Sequence, residues 1–513
     1  MRSWRMLFLS LVLCGAGTST LVAQHPLIHS DGDEQRQAAM EKPRARAEFE
    51  FHRVAWPSGS IPEGARARAF RDMRHMPMFA PGGKGAAMRD YVWKNIGPFN
   101  VGGRIFALAL NPKRPETMYA GAADGGVWRS YDAGESWTSL SDDFPTQAMG
   151  SIVIDPVDTN VVYAGTGDAS FGSLSFDGAG MFKSTDAGAT WFQVGEGTLP
   201  AYANISDMAI DPVNPSVLYA AIPDGVRDAA QLGIWRSRDA GATWQLVFPG
   251  RVTDIVINPA HPEILYTVSS KIFEGGQIIA NKGLFKPSSG GDDWTKLDIG
   301  ITDSLMGRTA IGLCATQPSV LYLGVSEVVG TGRTPLLGVF KSTDAGATWT
   351  KKDVPFDYMV SQGWFDNIIG VHPTNPDIVY AGGVKLVRSS DGGENWVRVA
   401  DQLAGGILHV DQHEIEFDPL QPDRVYVGND GGLYLLTNEG RTLEKRDIGM
   451  SITQFIGGDM YPGNDSFAFG GTQDNGTLVS DTQIDFDLTL YGDGGHGFIH
   501  PTQPNVMYTT QER

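Results

Sequence analysis

STDAGATW, residues 184–191, returns letter for letter at 342–349. Near-copies stand at 130–137 (SYDAGESW), 237–244 (SRDAGATW) and 389–396 (SSDGGENW). A catalytic residue is not needed many times over, so a recurring octet reads as scaffold. Its Asp suits the capping of backbone N–H groups in a tight turn, its Gly takes positive φ, and its Trp packs against a sheet. Asp132, Asp186, Asp239, Asp344 and Asp391 are therefore structural. The copy SSGGDDW has Ser289 where the Asp belongs, a change the fold is expected to tolerate.

Each octet closes a longer unit. The unit opens on an apolar run ending in Asn/Asp-Pro and then reaches a Tyr seven residues after the Pro. A Gly-rich stretch follows, then Gly-apolar-aromatic-Lys/Arg-Ser, then the octet. Pro112 leads to Tyr119, Pro156 to Tyr163, Pro212 to Tyr219, Pro259 to Tyr266, Pro373 to Tyr380, Pro419 to Tyr426 and Pro501 to Tyr508. Pro462 leads to Phe469 at the same step, and only the unit around Tyr322 breaks it. Nine units begin between Ile105 and the C-terminus. Each complete unit holds four short strand-length segments, A to D, and none keeps a helical period over ten residues. Four strands per unit at this spacing is the pattern of a β-propeller blade. The expected fold is all-β, with about eight four-stranded blades plus an incomplete last one.

The bulk properties agree. The chain has 513 residues, 41% of them hydrophobic, with 64 Gly and 29 Pro, as many turns between short strands require. Arg2 and Arg5 precede an apolar run, Met6–Leu13, too short to span a bilayer, and Ala23 suits cleavage, so residues 1–23 read as a secretory signal peptide. Its removal leaves Cys314 alone in an apolar strand, which excludes an intramolecular disulfide. Residues 24–90 lack the repeat and read as a basic leader with short helices; 91–513 are the propeller. The formal charge is −19; residues 1–23 and 24–90 contribute +2 each, so 91–513 carry −23. That balance argues against nucleic acid and anionic membranes as partners. The last unit has an A strand (GFIHP) and a B strand (VMYTT) but no C or D, which predicts an incomplete final blade, in a chain continued elsewhere. Tyr91-Val92-Trp93 reads as a spare D strand available to close a ring.

The octets resemble the Asp-box (BNR) repeat. The chain from about residue 91 onward is similar to bacterial secreted propellers grouped with the sortilin N-terminal domain and with xyloglucanase-type glycoside hydrolases. The Arg-Ile-Pro signature of sialidases is absent. Xyloglucanase-like enzymes carry an Asp in a Tyr-Ala-Arg-Thr-Asp-x-Gly-Gly stretch. Here Tyr119-Ala120-Gly121-Ala122-Ala123-Asp124-Gly125-Gly126 is similar without the Arg-Thr pair, and the resemblance places Asp124 at that family's catalytic base. The family's partner Asp lies in a second propeller.

Topology selects a rim. Strand A crosses the sheet and B returns, so A-strand starts and B–C loops share one rim, and the octets lie on the other. Charged residues recur there, at the end of strand B: Asp124, Asp168, Asp224, Lys271, Glu327, Lys385, Asp474 and, displaced by one, Asp430. Asp124, Asp474 and Asp430 are the catalytic candidates. Arg104, Asp168, Trp364, Asp366, His409, Asp411 and His413 are the binding candidates, with Trp364 placed to stack on a sugar ring. Strand alternation puts His409, Asp411 and His413 on one face as competent metal ligands, but without a fourth ligand they read as polar lining. No metal or other cofactor is expected. The expected protein is a secreted monomer acting on or binding a polysaccharide through this rim, using two carboxylates if it is an enzyme. The alternative is a non-catalytic, sortilin-like propeller that binds peptide ligands.

Overall fold

The computed structural model describes residues 10–13 and 95–511, apart from 170–175, 227, 270–280, 329–333, 404–406, 465 and 483–484. The expected signal peptide, leader and Tyr91-Val92-Trp93 strand lie outside the described residues, except for a short strand, Ser10–Leu13. The described residues fold into eight four-stranded antiparallel sheets, each built from four consecutive strands, and one further sheet. Their A strands are Ile105–Leu110, Met149–Ile154, Asp207–Ile210, Val252–Ile257, Met306–Leu313, Ile368–Val371, Gln412–Phe417 and Phe455–Met460. A last sheet contains Gly494–Ile499 and Val506–Gln511, with Ser10–Leu13 antiparallel on its outer edge.

The A strands of blades 1 to 7 pack side by side in order, and strand A of blade 7 returns against strand A of blade 1. Ile105, Leu108 and Met118 of blade 1 share one buried cluster with Tyr426, Leu433 and Leu435 of blade 7. Trp137 Nε1 donates to the Arg446 carbonyl across the same seam at 2.6 Å. The ring therefore closes after seven blades. Blade 8 and the last sheet pack on each other beyond the seam through Phe455–Met460 and Gly494–Ile499. The number of four-stranded units is as expected; a single ring containing all of them is not what forms. Closure at seven depends on residues 99–103, which run between blades 1, 7 and 8. The Phe99 carbonyl accepts from Gly449 N, and the Val101 carbonyl accepts from Thr453 Oγ1. A methyl group on Gly103 would strike the Ile452 carbonyl, so only glycine permits this passage.

The octets are the C–D turns. Asp186 Oδ1 accepts from Thr190 N and Ser184 Oγ, its Oδ2 accepts from Thr190 Oγ1, and Ser184 Oγ accepts from Gly188 N. The same set recurs around Asp132, Asp239 and Asp344. In the divergent copy, Ser289 and Asp293 exchange roles. The carboxylate comes from the end of the turn and accepts from Ser288 N and from both serine hydroxyls. The repeat tyrosines tie blade to blade. The Tyr119, Tyr163, Tyr219 and Tyr266 hydroxyls donate to Ala187, Ala240, Gly290 and Ala345, each a turn carbonyl of the next blade, at 2.9–3.1 Å. That buried contact accounts for the fixed step from Pro to Tyr.

Candidate functional site at the B–C rim

Asp124 and Asp430 sit in the B–C turns of blades 1 and 7, Asp474 in that of blade 8, and Asp168 just after strand B of blade 2. Arg104 immediately precedes strand A of blade 1, and Asp366 and Asp411 precede strand A of blades 6 and 7. These residues all lie at B–C turns or A-strand starts, and the blade 7–blade 1 seam brings Arg104, Asp430 and Asp474 together.

Arg104 lies at the centre, 6% exposed. Its Nε and Nη2 donate to Asp430 Oδ1 and Oδ2 at 2.7 and 3.0 Å, and Nη2 also reaches Asp474 Oδ2 at 2.7 Å. His413 Nε2 stands 2.6 Å from Asp430 Oδ1. The His413 ring packs edge-on between Phe106 and Phe365, and the Arg104 guanidinium lies over the same two rings at 5.5 and 5.0 Å. Burial works against the Arg104 charge, but Asp430 and Asp474 more than offset it and hold the cation. Burial alone would raise the Asp430 carboxyl; Arg104 and His413 reverse this and hold it far below the usual carboxylate range. Asp474 goes the other way. Burial and the Asp430 charge push it well above that range, and Arg104 only partly counters them. One cation cannot neutralise two carboxylates, and Asp430 has the second donor.

Asp124 is half-buried in its turn, and its Oδ2 accepts from Gln454 Nε2 at 2.8 Å. The Gln454 carbonyl accepts from Gln473 N, the residue before Asp474. Gln454 thus links the B–C turns of blades 1 and 8.

Asp366 is fully buried, and neither of its carboxylate oxygens has a hydrogen-bond donor among the described residues. Burial and neighbouring Asp411 push it well up. Asp411 is pushed up to about 6 by burial and by Asp430. Gln362 Nε2 donates to Asp411 Oδ1 at 3.2 Å. Two neighbouring carboxylates each disfavour ionisation of the other. Trp364 is half-buried and tilted against Phe365, 5.4 Å between centroids.

Left-handed backbone concentrates here. Outside the octets and the turns at Asn281, Asn438 and Glu439, the described non-glycine residues with positive φ are Val360 (48°), Ser361 (75°), Asp411 (61°) and Asp474 (64°). A β-branched valine at that angle is a strained conformation, of the kind found near working sites.

The expected alternation of His409, Asp411 and His413 does not hold. Strand A of blade 7 begins only at Gln412, and the left-handed Asp411 turns the chain before it. His409 Nε2 meets the Asp474 carbonyl at 3.2 Å, while His413 faces Asp430. Among the described residues no three His, Cys, Asp or Glu side chains are grouped to hold a metal ion.

Sequence reasoning missed the A-strand acids that line the channel. A cavity of about 290 Å³ runs among the A strands, lined by Asp207, Asp254, Arg308, His413, Glu414 and Glu416. Asp207 and Asp254 each accept the backbone N–H of the next blade's A strand, from Ile255 and Ile311, at 2.8 Å. Burial pushes Asp254 up to about 6 and Glu416 to about 7. The signal was an acid inside an otherwise apolar A segment, as in TDIVI and HEIEF. The ninth unit adds Asp493, whose Oδ1 accepts from Asp474 N at 2.9 Å; it was legible as an acid at an A-strand start.

These features define an all-β propeller of four-stranded blades with a recurring C–D turn. The family model Sortilin-Vps10 (sortilin, neurotensin receptor 3) matches residues 125–247. A xyloglucanase of Paenibacillus sp. is 28% identical over 295 residues, covering 55% of this chain and 24% of that protein. One from Acetivibrio thermocellus is 27% identical over 351 residues, covering 60% and 40%. The chain thus spans well under half the length of these relatives. In structure it resembles the GH74 xyloglucanase of Xanthomonas campestris, with a TM-score of 0.60 and 19% identity over 83% of this chain and 66% of that one. The GH74 enzyme of Niastella koreensis is similar at TM-score 0.56 and 19% identity, over 79% and 63%. Among the described residues no helix is long and apolar enough to cross a membrane.

Proposed function

We propose that the protein is a secreted glycoside hydrolase that binds a polysaccharide along the B–C rim at the blade 7–blade 1 seam. The observation that carries this reading is the link through Gln454, which brings Asp124 of blade 1 and the turn of Asp474 of blade 8 to one junction. Their environments differ as the chemistry needs. Asp474, whose proton affinity burial and Asp430 raise, serves as the acid that donates to the glycosidic oxygen. Asp124, fixed by the Gln454 amide, serves as the base that activates water or as the nucleophile. Trp364 offers a stacking face, and Asp168, Asp366, His409, Asp411 and His413 shape the polar floor between the two carboxylates and the channel. The xyloglucanase relatives support a β-glucan-type polysaccharide as substrate.

The test is reducing-sugar release from a polysaccharide panel that includes xyloglucan, comparing the parent with Asp124→Asn, Asp474→Asn and Asp493→Asn. Loss in the first two supports the assignment. Loss in Asp493→Asn with activity kept in Asp474→Asn moves the acid to the ninth unit. The match of residues 125–247 to the sortilin model favours a second reading, a peptide-binding rim. Saturable peptide binding with no sugar release from any polysaccharide would select it. Secretion predicts a mature N-terminus at Gln24, read by Edman sequencing of the exported protein.

A further inference from the structure

We infer that Asp430 is a positioning residue of this rim: by holding the Arg104 guanidinium through two contacts, together with His413, it leaves Asp474 as the carboxyl that can carry a proton. The inference rests on the reading of Asp474 as the rim acid.

The geometry is asymmetric. Arg104 gives Asp430 a forked pair of hydrogen bonds, from Nε and Nη2, and gives Asp474 one, from Nη2. A forked guanidinium–carboxylate contact is the stronger and more directional arrangement. Asp430 Oδ1 also has His413 Nε2 at 2.6 Å, and His413 is fixed between Phe106 and Phe365. The Asp430 backbone is held as well, its N–H donating to the Asp411 carbonyl at 3.3 Å and its carbonyl accepting from Asn475 Nδ2 at 2.9 Å. Asp430 is 1% exposed, whereas the Asp474 side chain is 22% exposed. The buried acid therefore does not meet a substrate, and the accessible one does.

The charged groups around Asp474 act as follows. Arg104 lowers its proton affinity; Asp430 and Asp493 raise it. Asp411 lies behind Asp430, and His413 and Asp168 act through Asp430 and Arg104. Removing the Asp430 charge deletes one group that raises Asp474. It also frees Arg104 from its forked contact and leaves it to hold Asp474 more fully, and both changes have the same sign.

The experiment follows the Asp474 carboxyl by NMR in protein labelled with ¹³C at the aspartate carboxyls, its resonance identified by its loss in Asp474→Asn. In the parent, Asp474 is expected to titrate above the ordinary carboxylate value of about 3.9. In Asp430→Asn its midpoint is expected to fall by at least about one pH unit, the usual effect of an opposite charge at contact. Asp430→Glu, which keeps the charge, is expected to restore most of the parent value. An unmoved midpoint in folded Asp430→Asn overturns the inference. So does a parent midpoint below about 3.9, which needs no variant to fold. Hydrolysis that survives in Asp474→Asn would remove the catalytic reading and leave the titration result standing, so the two failures are distinguishable.

Discussion

The two rims of the propeller both carry aspartates, and they treat them in opposite ways. On the octet rim, Asp186 and Asp344 are open to solvent, yet hydroxyl and backbone donors within their own turns lower both to about 2. On the B–C rim, fully buried Asp366 and half-buried Asp411 and Asp474 lie beside other acids and are raised, whereas Asp430, which has Arg104 and His413 against it, is lowered. A turn that supplies its own donors makes a carboxylate a permanent anion and a strut. A rim that withholds donors makes a carboxyl that can exchange a proton. The side chain is the same; the donors within reach decide its use.

The strongest way to break this contrast is at Asp124. Asp124→Asn is expected to lower hydrolysis by about 10²–10⁴-fold, the usual worth of general acid–base catalysis, with an unchanged melting temperature. Activity within a few-fold of the parent would remove Asp124 from the chemistry. On the octet rim the large effect is on stability. Trp244 and Trp396, both 6% exposed, donate through Nε1 to Gly241 and Gly393 of their own turns. Trp244→Ala or Trp396→Ala should cost about 3–5 kcal/mol in denaturant unfolding and leave the rim titrations in place.

A finer test uses pH, because the two rims predict opposite slopes. Asp411 binds its proton more tightly folded than unfolded. Its contribution is complete below about 3.9 and is lost as pH rises through about 6. Asp411→Asn should therefore gain on the parent between pH 4 and 7 in thermal melts. Asp344 binds its proton less tightly when folded. Its contribution is present above about 3.9 and is lost as pH falls toward about 2. The deficit of Asp344→Ala should therefore shrink between pH 5 and 2. Parallel slopes would mean that the rims do not differ. The smallest effect concerns the exchanged copy. The double variant Ser289→Asp, Asp293→Thr restores the Asp and Thr of the common octet, with Pro287 still in place of its first Ser, and should leave the melting curve within about a degree or two of the parent, whereas Asp293→Ala alone lowers it.

The sequence showed the blade clearly because each blade is local. The octet bonds join residues two to four apart, and the Tyr hydroxyls reach one blade ahead, so both recur with the repeat. Closure after seven blades was not legible. It joins Ile105 to Tyr426 and Trp137 to Arg446, contacts with no local signature, through glycines that look like any other loop glycines. The rim was legible as a set of positions but not as a network. Asp124, Asp430 and Asp474 were found from their place at the end of strand B. That Arg104 would bind Asp430, 326 residues away, followed from nothing local. The left-handed turn at Asp411 defeated the alternation argument for the two histidines, since alternation holds only inside a strand.

The seam at Trp137 and Arg446 has a mechanical meaning. Among the described residues, each of the seven blades of the ring is a contiguous piece of chain, and none of the seven takes a strand from across the seam. The loop is thus closed like a barrel by its staves, through side-chain packing and single hydrogen bonds between neighbours such as those of Tyr119 and Trp137. Such a ring yields along its joints before any stave breaks. A pull on residue 99, wedged between three blades, would part the circle between its first and last members and leave each sheet whole.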